Sequence, residues 1–329
     1  MQQRNIGTFS VPAIGLGCMN LNHAYGHAPD EASAIGLLRE AFELGVRHFD
    51  TAALYGFGSN EKLVGKALRD LRPHIHLASK CGMTGVDGKK VIDGRPETLA
   101  QTVEQSLASL QTDHIDLYYL HRWDKQVPVE DSVGALAKMV EQGKIGAIGL
   151  SEVSADTLRK AQAVHPITAV QTEYSLWTRN AEIAVLEACR ELGVTFVAFS
   201  PLARGFLSGA VHDVSQLSEK DIRRNMPRFQ APNFQANLAL YREFAALAEG
   251  AGCTPGQLAL CWLLGQGEHI VPIPGTRSIA HLRENVAAGD VQLDLAVLES
   301  AGQLINQDSV HGTRYGAATQ VEIDTEEFA

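Results

Sequence analysis

Several classes of protein are excluded by what this chain has little of. Its 329 residues hold only five cysteines, Cys18, Cys81, Cys189, Cys253 and Cys261, odd in number and widely scattered. No Cys-x-x-Cys and no His-Glu-x-x-His occurs, so zinc and redox-motif readings are weak. Positive charge is in deficit: Lys plus Arg number 28 against 38 Asp plus Glu, a formal net charge of −10. With no basic run or basic aromatic stripe, binding to nucleic acid or an anionic membrane is not expected. No apolar stretch approaches the roughly 20 residues needed to span a bilayer. Met1-Gln2-Gln3-Arg4-Asn5 lacks a signal-peptide core. A soluble, reduced, cytoplasmic protein is the expectation. A Gly-x-Gly-x-x-Gly is missing too; Gly56-Phe57-Gly58 lacks the third glycine, which weakens a Rossmann reading.

What the chain does have is a regular beat. At 45% hydrophobic and 20% charged, it suffices for one barrel-sized domain or two smaller ones. Residues Ile6 to Ala13 alternate weakly around Gly7, as in a small hairpin. Eight strand candidates begin at Ile14, Val46, Ile75, Ile115, Ile145, Thr168, Val194 and Ile270, and they alternate with helices. Asp30 caps a helix carrying Ala34, Leu37, Leu38 and Ala41; Ser59 opens one carrying Leu63, Val64, Ala67 and Leu68. A polar insertion runs from Val211 to Gln235, and a terminal helix, Leu295–Leu304, precedes an irregular tail. This repetition predicts an α/β (β/α)8 TIM barrel, one domain over residues 1–329, with an N-terminal β-hairpin and extra C-terminal helices.

Such a barrel carries its chemistry at the C-terminal ends of its strands. Asp50, Tyr55, Lys80, His121, Ser151, Gln171 and Ser200 are expected there. Each alone has an ordinary structural reading as a loop or strand-end residue. Together they make a chemical argument. A free tyrosine, with a pKa of roughly 10, is a poor acid at neutral pH. A nearby ammonium is expected to lower that value, and an adjacent carboxylate to keep the lysine charged and placed. A histidine orients a carbonyl oxygen or shares in the proton relay. Asp, Tyr, Lys and His at one mouth therefore suit protonation of a carbonyl oxygen as hydride reaches carbon.

The strand-end motifs carry a resemblance as well. Phe49-Asp50-Thr51-Ala52-Ala53-Leu54-Tyr55-Gly56, Leu77-Ala78-Ser79-Lys80, Ile115-Asp116-Leu117-Tyr118-Tyr119-Leu120-His121 and Ile148-Gly149-Leu150-Ser151 resemble the aldo-keto reductases. So do Val170-Gln171-Thr172-Glu173-Tyr174, Phe199-Ser200-Pro201-Leu202 and Pro272-Ile273-Pro274-Gly275-Thr276, one motif per strand along nearly the whole chain. The resemblance implies NADPH-dependent reduction of aldehydes or ketones, with a small carbonyl compound as substrate. It makes Tyr55 the general acid, Lys80 and Asp50 its tuning pair, and His121 the carbonyl-orienting residue. Ser151 and Gln171 are expected to hold the nicotinamide carboxamide and Phe199 to stack on the ring, with Met19 also at the cofactor. Ser200 and Leu202 are expected along the pyrophosphate. Gly275, Thr276, Arg277, His281, Glu284 and Asn285 are expected to receive the adenosine and its 2′-phosphate.

Two positions depart from the family pattern. Glu152 stands where many members have asparagine, so it receives no carboxamide contact. His281 stands where Arg or Gln is expected, which leaves Arg277 the stronger phosphate candidate. The wording of Gly149-Leu150-Ser151-Glu152 is similar to the general aldehyde and ketone reductases shared by plants and microbes. Two other functions suit a barrel: a cofactor-sensing accessory subunit with slow turnover, and a Schiff-base lyase using Lys80. Met19, Tyr25, Phe57, Trp123 and Trp177 are candidate walls of an apolar substrate pocket.

Overall fold

The computed structural model describes residues 1–328. An antiparallel hairpin comes first, β1 (Gln3–Ile6) and β2 (Phe9–Pro12). Three strands of the central sheet follow: β3 (Leu16–Gly17), β4 (His48–Asp50) and β5 (His76–Cys81). A second hairpin, β6 (Met83–Val86) and β7 (Lys89–Ile92), interrupts the sheet. The sheet resumes with β8 (Leu117–Leu120), β9 (Ile148–Ser151), β10 (Ile167–Glu173), β11 (Thr195–Phe199) and β12 (Ile270–Pro272). Its eight strands are parallel and lie side by side in chain order. Gly15 N–H donates to Pro272 O at 3.0 Å and Gly17 N–H to Pro274 O at 3.4 Å, so the first and last strands meet. The sheet curls into a (β/α)8 barrel. Gly17 is required at that seam, because an added Cβ would lie 2.9 Å from Ile273 O.

Strand side chains alternate between two buried surfaces, as a barrel wrapped in helices requires. Ala78, Leu117, Tyr119, Ala169, Val197 and Val271 point inward and meet Ile6 and Val11 of the first hairpin, which plugs the end where the strands begin. Phe49, Leu77, Tyr118, Leu120, Ile148, Leu150 and Phe196 point outward into the helical layer. That layer contains α1 (Glu31–Glu43), α2 (Ser59–Leu68), α3 (Pro96–Leu110), α4 (Val129–Glu141), α5 (Ala155–Val164) and α6 (Val185–Leu192). After the insertion come α7 (Asn233–Gly250), α8 (Pro255–Gly265), α9 (Ile279–Ala287), α10 (Leu295–Leu304) and the short α11 (Ala317–Gln320). Asp30 and Ser154 accept the first-turn amides of Ser33 and Thr157; such a cap is worth about 1 kcal/mol.

Several details differ from the expectation. The Ile14 and Val46 strands shrink to β3 and β4. The Thr168 strand instead lengthens to Glu173. The hairpin of β6 and β7 carried no apolar alternation and went unread; it is exposed along Gly85–Lys90. The insertion folds as single turns and contains one buried ion pair, Arg223 with Asp221. The tail is irregular as expected, apart from the short α11, but it is anchored: Arg314 and Thr325 are buried within it.

Candidate active site

Asp50 is the last residue of β4 and Lys80 the penultimate residue of β5, in neighbouring strands. Both side chains point into the mouth, because the inward period of two runs His48–Asp50 and His76–Ala78–Lys80. The Lys80 ammonium is wholly buried and ion-paired with Asp50. It also donates to Thr51 O at 2.7 Å and to the Tyr55 hydroxyl at 3.2 Å. Its three N–H donors are thereby all used. Tyr55 reaches this position from a tight turn in which Gly56 and Phe57 both have positive φ, 55° and 52°. The turn is held from behind: Thr51 donates to Asn60 Oδ1 at 2.6 Å, and Asn60 donates to Cys18 O at 2.9 Å.

His121 follows β8 directly, its backbone amide bonded to Cys81 O at 2.8 Å. Its ring meets the Tyr55 ring edge-on, centroids 5.7 Å apart, and its Nδ1 is buried without a protein partner. On the other side His23 stacks on Tyr55 at 5.7 Å. The four residues Asp50, Tyr55, Lys80 and His121 are therefore brought together. Gln171, in β10, donates to the second carboxylate oxygen of Asp50 at 2.8 Å.

The electrostatics follow from burial. Enclosure and then the charge of Arg122 hold the His121 imidazole well below its usual range, so it is neutral at physiological pH. Burial works against charge on Lys80, but Asp50 and Tyr55 more than compensate and raise its pKa. For Tyr55 the expectation fails: burial outweighs the adjacent ammonium, and the phenol pKa is raised above 10. A buried phenolate loses more hydration than one nearby cation, already paired with Asp50, returns.

A cleft of about 980 Å³ opens at this mouth. Tyr55, His121 and all thirteen residues expected at the cofactor line it, from Met19 to Asn285; Lys80 lies beneath. At its far side Arg277 is exposed and donates to His27 O at 2.5 Å. The helix end beside it is partly satisfied already. Thr276 Oγ1 accepts from Ser278 N at 3.0 Å and Ser278 Oγ from His281 N at 3.4 Å, leaving the amides of Ile279 and Ala280. Glu284 accepts from Thr254. Of the expected apolar walls, Met19 and Tyr25 line the cleft; Phe57, Trp123 and Trp177 do not. Phe57 packs over Gly85 and is half exposed, while Trp177 is buried against Phe206 and Phe229.

The tail was the part of the site that went unread. Tyr315 to Thr319 and Glu322 form one wall, and Glu322 pairs with Lys90 of the second hairpin. Arg314 pairs with both Glu152 and Glu173, and Arg204 with Glu173 at 2.7 Å. Glu152, with φ of 57°, also accepts from Thr325 at 3.0 Å. Its carboxylate is thus spent on the tail. No motif in residues 306–328 announced this; only the unexplained acids Glu152 and Glu173 hinted at buried partners.

The Aldo/keto reductase family model matches residues 13–305. This chain belongs to the aldo/keto reductase family. It is 42% identical to the aldo-keto reductase yakc [NADP(+)] of Schizosaccharomyces pombe, over 98% of this chain and 97% of that one. A probable aldo-keto reductase of Glycine max is 44% identical, over 96% and 92%. Among solved structures, a glycerol dehydrogenase of Gluconobacter oxydans superposes with a TM-score of 0.81 at 28% identity, covering 92% of this chain and 94% of that one. An aldo-keto reductase of Klebsiella pneumoniae in complex with NADPH superposes with a TM-score of 0.73 at 26% identity, over 96% and 99%. Like these aldo/keto reductases, the chain is a strand–helix barrel, and no helix among its described residues is long and apolar enough to cross a membrane.

Proposed function

We propose that this protein reduces a small aldehyde or ketone to the alcohol with NADPH as hydride donor. One observation carries the reading: a buried ammonium bonded at once to Asp50, Thr51 O and the Tyr55 hydroxyl, with neutral His121 alongside. Residues 1–329 are taken as one barrel domain, since the family match covers most of them and the hairpin packs on the barrel.

The cleft suits the dinucleotide. It runs from the tetrad to the start of α9, where an unpaired Arg277 and two free amides suit a phosphate. Near Tyr55, Ser151 and Gln171 offer hydrogen bonds for a carboxamide and Phe199 an aromatic face. Bound there, NADPH supplies the hydride. The chain's residues do the rest. His121, neutral, donates from one ring nitrogen to the carbonyl oxygen and orients it. Tyr55 gives its proton to that oxygen as charge develops. Lys80, fixed by Asp50, stabilises the phenolate left behind. Gln171 holds Asp50, and the wall of Tyr315–Thr319 limits water.

The Schiff-base alternative meets an obstacle in the same geometry. Lys80 is charged, wholly buried and donates all three protons, so it has no lone pair to attack a carbonyl. The deciding experiment is NADPH consumption against small aldehydes, aromatic aldehydes, ketones and pyridoxal. Turnover of at least one carbonyl, sharply reduced in Lys80→Met, is expected. Occupancy by NADPH without turnover of any of them would favour the sensing subunit instead.

A further inference from the structure

Five basic side chains line the cleft: Lys90, Arg122, Arg204, Arg223 and Arg277. Lys90 is paired with Glu322, Arg204 with Glu173 and Arg223 with Asp221. Arg122 and Arg277 have no acidic partner among the described residues. They stand across the mouth from one another, because β8 and β12 are four strands apart in either direction around an eight-stranded barrel. Arg277 is placed for the phosphate of the dinucleotide. Arg122, which follows His121, is on the reacting side.

The bonds of Arg122 leave one amino group free. Nη1 donates to His121 O at 2.6 Å and to Ser151 Oγ at 3.3 Å. Nε is enclosed and without a partner, and Nη2 makes no hydrogen bond among the described residues. Nη2 is thus the group left for the cleft, and its N–H groups suit a charge-assisted hydrogen bond to a carboxylate oxygen. Ordering Ser151 requires Nη1 alone and gives no reason for the free Nη2. The acid nearest in sequence, Asp124, accepts instead from the amides of Gly94 and Gln126. Glu152 feels the charge of Arg122 but bonds to Arg314 and Thr325. In a chain of net charge −10, a cation without an ion-pair partner beside the reacting groups calls for an anion from outside.

We infer that Arg122 binds the carboxylate of the substrate, so that the site takes carbonyl compounds bearing a carboxylate group. This rests on the reductase reading above. It assigns Arg122 to substrate recognition and leaves proton transfer with Tyr55.

The test uses the full-length protein with NADP+ and two neutral–anionic pairs. Calorimetric titration compares benzoate with benzamide, and turnover compares 4-carboxybenzaldehyde with benzaldehyde. Wild type is expected to bind benzoate at least ten-fold tighter than benzamide. Arg122→Gln is expected to lose that ratio, and its selectivity for 4-carboxybenzaldehyde to fall ten-fold or more. Arg122→Lys, which keeps the charge without the planar guanidinium, should fall between. Equal binding of benzoate and benzamide by wild type overturns the inference, whatever the turnover. Equal losses for both aldehydes in Arg122→Gln do the same, since they mark a structural role. Inorganic phosphate displacing benzoate at lower concentration than benzoate itself binds would overturn the carboxylate in favour of a phosphate ester. If benzoate selectivity depends on Arg122 while neither aldehyde is reduced, the anion site stands and only the reductase reading falls.

Discussion

The Lys80 ammonium lies 3.2 Å from the Tyr55 hydroxyl, yet that phenol is harder to ionise than a free tyrosine. Lys80 has already given its charge to Asp50, and burial removes the water a phenolate needs. The lysine therefore steadies the anion that forms during proton transfer without creating it at rest.

A pH profile follows. With the Tyr55 pKa raised, kcat/KM for carbonyl reduction should not lose its tyrosine proton until above pH 10. Lys80→Met should cut activity and push any residual alkaline limb higher, because Asp50 is left buried and uncompensated beside the phenol. Rate measurements from pH 6 to 11 check both. A wild-type limb well below the free phenol value would mean that Lys80 outweighs burial at Tyr55.

Removing the donor itself is the sharper test. Tyr55→Phe should leave the fold and NADPH affinity nearly intact while kcat falls about 100-fold or more, the scale of lost acid catalysis. Single-turnover hydride transfer on a good aldehyde measures it. A variant keeping most of its turnover removes Tyr55 from the mechanism.

Cofactor choice rests on Arg277. Its guanidinium is exposed and holds only His27 O. Charge-assisted bonds to a 2′-phosphate are worth about 1.5–3 kcal/mol, roughly ten- to a hundred-fold in affinity. Arg277→Ala should therefore weaken NADPH far more than NADH, with kcat little changed. Fluorescence titration with both nucleotides decides it; equal losses would sink the assignment.

Acid stability has an identifiable source at the closed end of the barrel. His48 and His76 share an Nδ1···Nδ1 contact of 2.9 Å, which requires one ring to lack its proton there. Burial holds His48 down at about 4 against 6.5 when unfolded. Above pH 6.5 neither state is protonated and nothing is lost. As pH falls through that window the unfolded chain gains the proton first, costing about 2 kcal/mol by pH 5. Urea melts at pH 7.5 and 5.0 should show this loss, and His48→Asn should flatten it.

The tail makes a fifth prediction. The carboxyl of Glu173 is buried, and Arg204 and Arg314 hold it down at about 2. Its contribution is present above pH 4.5 and is lost only as pH falls towards 2. Arg314→Ala leaves Glu152 without its ion-pair partner in a buried site, which typically costs about 3–5 kcal/mol. Denaturant melts should show that loss, and limited proteolysis should find the segment beyond Val310 newly cleavable. A stable variant with a protected tail would mean that Thr325 and Arg204 suffice.

Much of this protein was legible before folding. The barrel showed itself because each strand had to bury both faces and each helix one, and that requirement writes apolar periodicity into local sequence. Asp50, Lys80, His121, Ser151 and Gln171 were readable for a related reason: a strand end is a local feature, and polar residues there interrupt an apolar run. Tertiary structure decided what depends on distance and dielectric. The pKa of Tyr55 went the opposite way from expectation because burial, summed over many distant neighbours, exceeded the one cation visible in the motif. Trp177 and Phe57 left the pocket because side-chain direction is set by packing. Arg314 joined Glu152 across 162 positions, where no sequence period reaches. Arg122 was plain in the chain, but whether its charge was answered depended on which acids the fold had already given away.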